Sequence, residues 1–304
     1  MSDKKVCVIT GATGGIGTAA VNRMVEKYKV LMADVSQEKL DARVKELTEK
    51  GFEVAGMVCD TSVLSQCRAL AEKAASMGTV QGVIQLAGLT PAVAYYKDIV
   101  AVDCVGMMNI DECFFEVMRP GASIMNICSC AGHFFEEDAL PMDIFETALT
   151  DKQKFFDDFT EYLGEFGDDT AAAQMAYCFG RSFAYWFTRK AAYSFGRKKG
   201  IRINTVSIGF VRTPRTIDDY VISGEDPDKK IDQQMSWSAF GRAGTPDEVA
   251  FVFDFLIDER NSYLTGTDIY FDNGCDANGY MGQQFDYDPS ENAYDPENGS
   301  EMVR

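Results

Sequence analysis

Val6-Cys7-Val8-Ile9-Thr10-Gly11-Ala12-Thr13-Gly14-Gly15-Ile16-Gly17 is the stretch whose reading decides the fold. Its first half is an apolar run without charge, the pattern of a parallel strand covered on both faces. Its second half is a glycine-rich turn that opens a helix. Gly11, Gly15 and Gly17 supply a tight turn, a backbone close enough to touch a ligand, and room for the helix to pack on the strand. The helix start offers free N–H groups and the positive end of a dipole, which suit a pyrophosphate. A glycine triplet alone is a weak signal; between a strand and a helix it is a strong one.

Outward from this stretch, strands and helices alternate. Lys29 to Asp34 reads as a second strand ending on an acid, and 37–50 as a charged amphipathic helix closed by Gly51. Further strands are expected at about 52–58, 80–86, 121–128, 201–206 and 267–271, and helices at about 63–76, 97–118 and 171–199. Thr245-Pro246-Asp247-Glu248 carries the cap signals of one more helix. Residues 214–234 read as loop-like, with a helix near 228–235. This rhythm predicts an α/β chain with a Rossmann-type, doubly wound parallel sheet of about seven strands. The expected domain is 1–278, interrupted at about 134–174 by a helical insert with helices near 141–149 and 151–166, and followed by an acidic, irregular tail at 279–304. Ligands of such sheets lie beyond the carboxyl ends of the strands, so Gly11 to Gly17, Asp34, Asp60, Gly88 and Ser129 should share one edge.

Asp34 makes the ligand more specific. An acid closing the second strand, 17 residues after Gly17, can accept from both adenosine ribose hydroxyls. It also repels the extra phosphate of NADP, and neither Val35 nor Ser36 offers that phosphate a cation. NAD is the cofactor this reading selects. Asp34 also precedes a helix, so an N-cap is its plain structural role, and the two roles can coexist.

The net charge of −18 is uneven. Residues 134–170 hold twelve acids and two lysines, and residues 276–304 hold seven acids and one arginine, so the rest of the chain is close to neutral. That balance argues against nucleic acid and against anionic membrane surfaces as partners, and both acidic runs read as solvated faces. No apolar run is long enough to span a bilayer, and no signal peptide is recognisable. The nine cysteines include no CxxC pair, Cys128 and Cys130 flank Ser129 too closely for a zinc knuckle, and His133 is the single histidine. Reduced thiols in a cytoplasmic protein with no metal site are expected. His133 either reaches toward a substrate or serves as a loop donor.

Taken in order, the motifs resemble those of the short-chain dehydrogenase/reductase family, over about Val6 to Gly274 with 134–174 as an insert. Thr10 to Gly17 matches its TGxxxGIG loop, and Asp60 its adenine-binding acid. Gln85-Leu86-Ala87-Gly88 matches the NNAG strand end with both asparagines replaced, and Asn126 to Gly132 matches the strand ending in the active-site serine. Gly200-Ile201-Arg202-Ile203-Asn204 and Ser207 to Pro214 match the GIRVN and PGxVxTP blocks, with Gly241 to Ala250 and Leu264-Thr265-Gly266 completing the set. The resemblance implies that Gly11, Thr13, Gly14, Gly15, Ile16, Gly17, Asp34, Asp60, Thr61, Ala87, Gly88 and Thr213 hold the cofactor, together with Tyr177 and Arg181.

The family's catalytic set is Asn, Ser, Tyr and Lys, the last two as YxxxK. Here no tyrosine has lysine four residues on; Tyr177, Tyr185 and Tyr193 have Arg181, Arg189 and Arg197 instead. An eight-residue step turns a helix by about 800°, so the three pairs cannot share a face. Thr188-Arg189 matches the family's Thr-Arg pair two turns after the lysine, which selects Tyr177 and Arg181. The family's helical asparagine aligns with Asp103. The implied catalytic residues are Ser129, Tyr177, Arg181 and Asp103. A free phenol is too weak a base near neutrality, and a fixed cation beside it favours the tyrosinate. Ser129 would hold the substrate oxygen. Asp103 could hold a relay water, but its charge would oppose tyrosinate.

The insert lies between Ser129 and Tyr177, so its aromatic residues, Phe134, Phe135, Phe145, Phe155, Phe156, Phe159, Tyr162 and Phe166, either line an apolar lid or pack the insert's own helices. An extra helical segment here resembles that of bacterial 3α-hydroxysteroid dehydrogenase/carbonyl reductases. That likeness implies an NAD-dependent oxidoreductase interconverting a secondary alcohol and a ketone, on a hydroxysteroid or bile acid. The alternatives are a sugar or polyol dehydrogenase of the family, and a non-catalytic NAD sensor with a degenerate catalytic set. Family members are usually dimers or tetramers, so a homo-oligomer is expected, although the insert could obstruct one interface.

Overall fold

The computed structural model describes residues 4–277. The tail expected at 279–304 lies outside the described residues. Apolar, β-branched runs form seven strands: β1 (Val6–Thr10), β2 (Lys29–Asp34), β3 (Val54–Val58), β4 (Val80–Gln85), β5 (Ser123–Ser129), β6 (Arg202–Ile208) and β7 (Asp268–Phe271). They pair in parallel in the order β3-β2-β1-β4-β5-β6-β7. Every residue of β1 and β4 is buried, as an uncharged run at the sheet centre requires. The strand order reverses between β1 and β4, and a crevice opens at that switch point.

One face of the sheet buries α1 (Gly15–Met24) and α11 (Pro246–Ile257) through Val21, Met24, Val249, Phe253 and Leu256. The other buries α3 (Leu64–Met77), α5 (Met107–Val117) and α8 (Asp169–Lys199) through Leu70, Ile110, Phe114 and Phe195. The amphipathic α2 (Gln37–Glu49) buries Leu40 and Leu47. The expected cap of α11 is present as a capping box between Thr245 and Glu248.

Three local readings need correction. The helix expected at 97–118 is α4 (Tyr96–Ile99), then a π-helical stretch at Val100–Gly106, then α5. Residues 214–222, read as loop, form α9 (Pro214–Ile222), while the helix expected near 228–235 is α10 (Pro227–Met235); each has a side-chain N-cap, Thr213 or Asp226, and proline at its start. The N-cap of α2 is Ser36, whose hydroxyl accepts from Lys39 N–H, so Asp34 is not that helix's cap.

The insert folds as α6 (Met142–Thr147) and α7 (Lys152–Leu163) against α8. Phe155 stacks on Phe183 at 4.5 Å, and Phe145 meets Phe159 and Phe183 edge-on. Phe145, Phe155 and Phe159 are fully buried in this cluster. Of the eight aromatic residues, Phe134 alone lines the main cleft, so the insert's aromatics pack its own helices and do not roof the site.

A buried polar cluster clamps the elements beneath the crevice. Gln85 Nε2 donates to Asp111 Oδ1 and Asn126 Oδ1, both at 2.7 Å, and Asn126 Nδ2 donates to Asp111 Oδ2 and Thr188 Oγ1, both at 3.0 Å. Gln85 thus takes a structural role where the family motif has asparagine. Burial pushes the Asp111 carboxyl up to about 8, against the hydrogen bonds from Asn126 and Gln85. A raised carboxyl pKa means that the folded chain binds more protons than the unfolded one between about pH 4 and pH 8, so stability falls as pH rises through that window. Between pH 6 and 8 the loss from this group is roughly 2 kcal/mol. Urea unfolding of Asp111→Asn should show a flatter dependence over that interval; equal slopes in wild type and variant would contradict the assignment.

Candidate active site

The carboxyl ends of the strands open onto one cleft of about 1150 Å³. Gly11, Thr13, Gly14, Gly15, Ile16, Gly17 and Asp34 line one end, with Asp60, Thr61, Ala87, Gly88 and Thr213 around them. Ser129, Tyr177 and Arg181 line the same cleft. Asp103 is not on its wall: it is 5% exposed and lies behind Arg181.

The glycine loop is built for a close backbone approach. Gly11 has φ +61°, and a Cβ there would stand 2.8 Å from Ala87 N and Leu86 O at the end of β4. A Cβ on Gly17 would stand 2.1 Å from Gly11 O. The Thr10 hydroxyl accepts from Leu86 and Ala87 N–H, tying the loop ends of β1 and β4 together across the switch point. Asp34 Oδ2 accepts from Thr13 N–H at 2.9 Å and from the Thr13 hydroxyl at 2.7 Å, while Oδ1 accepts from Val35 N–H at 2.8 Å. The second strand's acid is therefore fixed at the mouth of the glycine loop. Asp60 Oδ1 accepts from Ser62 N–H and its hydroxyl, which orients the acid at the end of β3. A dinucleotide fits this end: Gly11 and Gly17 have no room for a side chain, and Asp34 and Asp60 present carboxylates beside the loop.

At the other end, Ser129 closes β5, and its hydroxyl accepts from Ala131 N–H at 3.2 Å, capping the 3₁₀ turn Cys130–His133. Tyr177 projects from α8 into the cleft, near enough to Ser129 for the serine hydroxyl to favour the phenolate. Arg181, one turn on, places its guanidinium 4.9 Å from the centre of the Tyr177 ring. Arg181 Nη1 donates to Ile127 O at 3.3 Å, and Nη2 stands 2.8 Å from Asp103 Oδ2. Asp103 Oδ1 accepts from Leu89 N–H at 2.9 Å. The π-helical stretch, a feature found often at functional sites, carries Asp103 into this position. Arg181 thus stands between Asp103 and the phenol, and the Asp103 carboxylate is occupied by an ion pair and a backbone N–H.

The electrostatics follow from burial. Desolvation pulls the Arg181 guanidinium down, but Asp103 and then Tyr177 raise it further, so it stays charged. Burial pushes the Tyr177 phenol above its ordinary value; Arg181 and the Ser129 hydrogen bond oppose that without cancelling it. The cation therefore moderates a raised phenol, where the sequence suggested a lowered one.

The other tyrosines lie elsewhere. Tyr193 is 75% exposed, and Tyr185 stacks on His133 at 4.5 Å, away from the cleft. His133 does not reach the cleft; its Nε2 lies 2.9 Å from both Ser207 Oγ and Asp268 Oδ2. Sequence reasoning missed the roof. Phe210 stacks on Tyr220 of α9, whose hydroxyl donates to Gln234 Oε1 of α10 at 2.6 Å, and Thr90 donates to Asp219 at 3.0 Å, bonding the loop after β4 to α9. Gln174 and Cys178 also line the cleft; Gln174, three residues before Tyr177 on one helix, could have been found from that spacing.

A wound sheet with a dinucleotide cradle at its switch point and a hydroxyl pair in the same cleft defines a nicotinamide-type oxidoreductase. The comparisons make the class particular. A short chain dehydrogenase family model matches residues 5–138, and an enoyl-(acyl carrier protein) reductase model matches residues 168–276. The chain is 30% identical over 269 residues to the short-chain dehydrogenase/reductase bsc3 of Alternaria brassicicola, covering 88% of this chain and 94% of that one. It is 26% identical to the 3-oxoacyl-[acyl-carrier-protein] reductase FabG of Thermotoga maritima, over 89% of this chain and 97% of that one. With the 7alpha-hydroxysteroid dehydrogenase of Bacteroides fragilis it shares 24% identity, over 90% and 94%. Its fold is that of a variant actinorhodin polyketide ketoreductase solved with NADPH, at TM-score 0.69, 23% identity, and 90% and 98% coverage. This chain belongs to the short-chain dehydrogenase/reductase family.

Proposed function

We propose that this chain interconverts a secondary alcohol and a ketone with NAD(H), and that its substrate is bulky and apolar, a hydroxysteroid or bile acid. The observation that carries the reading is the Ser129–Tyr177 hydroxyl pair in the cleft that also holds the glycine loop and Asp34. When bound, the nicotinamide supplies or accepts the hydride. Tyr177 gives a proton to the carbonyl oxygen as the alkoxide forms, and takes it back in the reverse direction. Ser129 holds that oxygen by hydrogen bond. Arg181 supplies a fixed positive charge that favours tyrosinate, and unlike lysine it cannot pass the proton on. Phe134, Phe210, Tyr220, Trp237 and Cys178 give the substrate end an apolar wall, which supports a bulky substrate over a sugar or polyol. The 7alpha-hydroxysteroid dehydrogenase among the relatives supports the steroid class without favouring the 3α position.

Purified protein assayed with NAD and NADP against hydroxysteroids, sugars and acyl thioesters should turn over hydroxysteroids with NAD. Turnover confined to small polar substrates would end the substrate reading. Asp34 is the basis of the cofactor preference. Losing its charged hydrogen bonds removes about 1.5–3 kcal/mol, so Asp34→Ala should weaken NADH binding by about tenfold or more and narrow the NADH/NADPH ratio in a fluorescence titration. An unchanged ratio would refute it.

We propose a homo-oligomer, dimer or tetramer, in a reducing cytoplasm; light scattering tests the first part. The free state of all nine cysteines is compatible with the second. No helix among the described residues is long and apolar enough to cross a membrane.

A further inference from the structure

We propose that Cys128, His133 and Asp268 form a binding site for one divalent transition-metal ion, best matched by Zn²⁺, with the Ser207 hydroxyl or a water as fourth ligand. His133, Ser207 and Asp268 do not line the cleft, whereas Cys128 does, next to Ser129, so the site adjoins the hydroxyl pair on the far side of β5 and its test reads metal binding rather than turnover.

The sheet register assembles it. Cys128 of β5 stands directly beside Ser207 of β6, and Ser207 pairs with Tyr270 of β7, two residues after Asp268. Side chains alternate along a strand, so Asp268 and Tyr270 point to one face. His133 returns over that face from the 3₁₀ turn after β5, its ring held between Tyr185 and Tyr270, both with centres at 4.5 Å. One sulfur, one imidazole nitrogen and one carboxylate oxygen then lie within 4.8 Å of one another. His133 Nε2, Ser207 Oγ and Asp268 Oδ2 converge more tightly, at 2.9, 2.9 and 2.7 Å.

Three features favour a cation over hydrogen bonding alone. Bonds of about 2.0–2.3 Å in a tetrahedron leave ligand atoms roughly 3.3–3.8 Å apart, so these atoms need to shift by only a fraction of an ångström to about an ångström. The Asp268 side chain is 9% exposed, and its Oδ1 is buried without a hydrogen-bond partner among the described residues. A thiolate and a carboxylate together offset a divalent charge, so the occupied site is neutral in a region where net charge is costly. Binding releases the Cys128 thiol proton, now shared with Arg181 O at 3.1 Å, to solvent. The donor set of soft sulfur with nitrogen and oxygen suits Zn²⁺ and excludes Mg²⁺ and Ca²⁺.

The test is Co²⁺ and Zn²⁺ binding by chelator-treated full-length protein. The expected result is one Co²⁺ per chain with a thiolate charge-transfer band and tetrahedral visible bands, displaced by Zn²⁺, and a higher melting temperature with Zn²⁺. Cys128→Ala should lose the charge-transfer band. Asp268→Asn, which keeps size and a hydrogen-bonding partner for His133, should weaken Zn²⁺ at least tenfold while the chain still melts cooperatively. Failure of wild type to bind stoichiometrically would overturn the site, as would a spectrum that Cys128→Ala leaves unchanged. Neither outcome depends on whether the chain turns over a steroid.

Discussion

Tyr177→Phe is expected to lower kcat by about a thousandfold in either direction, in the middle of the range for removing a general acid–base group, and to leave NADH affinity within about twofold. The substitution deletes one oxygen and keeps the ring, so the packing of Arg181 over its face at 4.9 Å survives. Ser129 retains its bond from Ala131 N–H. Steady-state rates and a fluorescence titration separate the two effects. A sensor that binds NAD without turnover would show no change in either, and an enzyme whose acid lies elsewhere would keep its kcat. The same residue sets the pH dependence. Burial raises the phenol, and oxidation of an alcohol needs tyrosinate, so kcat/KM for oxidation should climb with pH into the alkaline range. Reduction needs the protonated phenol and should be favoured toward lower pH. An oxidation profile that is flat above neutrality would contradict the assignment.

The sheet was legible in the sequence because its signals are local. The uncharged run of β1, the acid ending β2 and the Thr245–Glu248 box each state their structure within a few residues. Helical geometry says only that three tyrosines eight residues apart cannot share a face; the choice of Tyr177 and Arg181 comes from the family resemblance, through Thr188-Arg189, and both residues line the cleft. What the sequence could not show is tertiary. Nothing near Asp103 announces a π-helical stretch, and its ion-pair partner lies on a different helix. The helix at 214–222 was readable from Thr213-Pro214, but the surrounding polar residues masked it. His133 looked like a loop residue beside Ser129; its partner Asp268 is 135 positions away and meets it only through the order of β5, β6 and β7.

The pair at Asp103 and Arg181 should behave as a unit that neither residue can leave alone. Their side chains are 1% and 9% exposed, so each charge depends on the other for its solvation. Asp103→Asn leaves the guanidinium buried without its counter-ion, which costs about 3–5 kcal/mol by the behaviour of broken buried pairs. Arg181→Lys draws the cation back from Asp103 and from Ile127 O, with a similar sign. The double variant, Asp103→Asn with Arg181→Lys, removes the carboxylate that needed pairing and restores the Asn and Lys that the family motif carries at these positions. It should therefore be less destabilised than the sum of the singles by about 1–3 kcal/mol, read from urea unfolding. Activity should follow the same order, because a lysine ammonium beside Tyr177 can still favour tyrosinate once no carboxylate competes for it. The oxidation pH profile of the double variant should then shift relative to wild type, since both the charge beside the phenol and its counter-ion have changed. Additive losses, with no recovery of stability or rate in the double variant, would mean that Asp103 and Arg181 act separately and that the ion pair is only a packing contact.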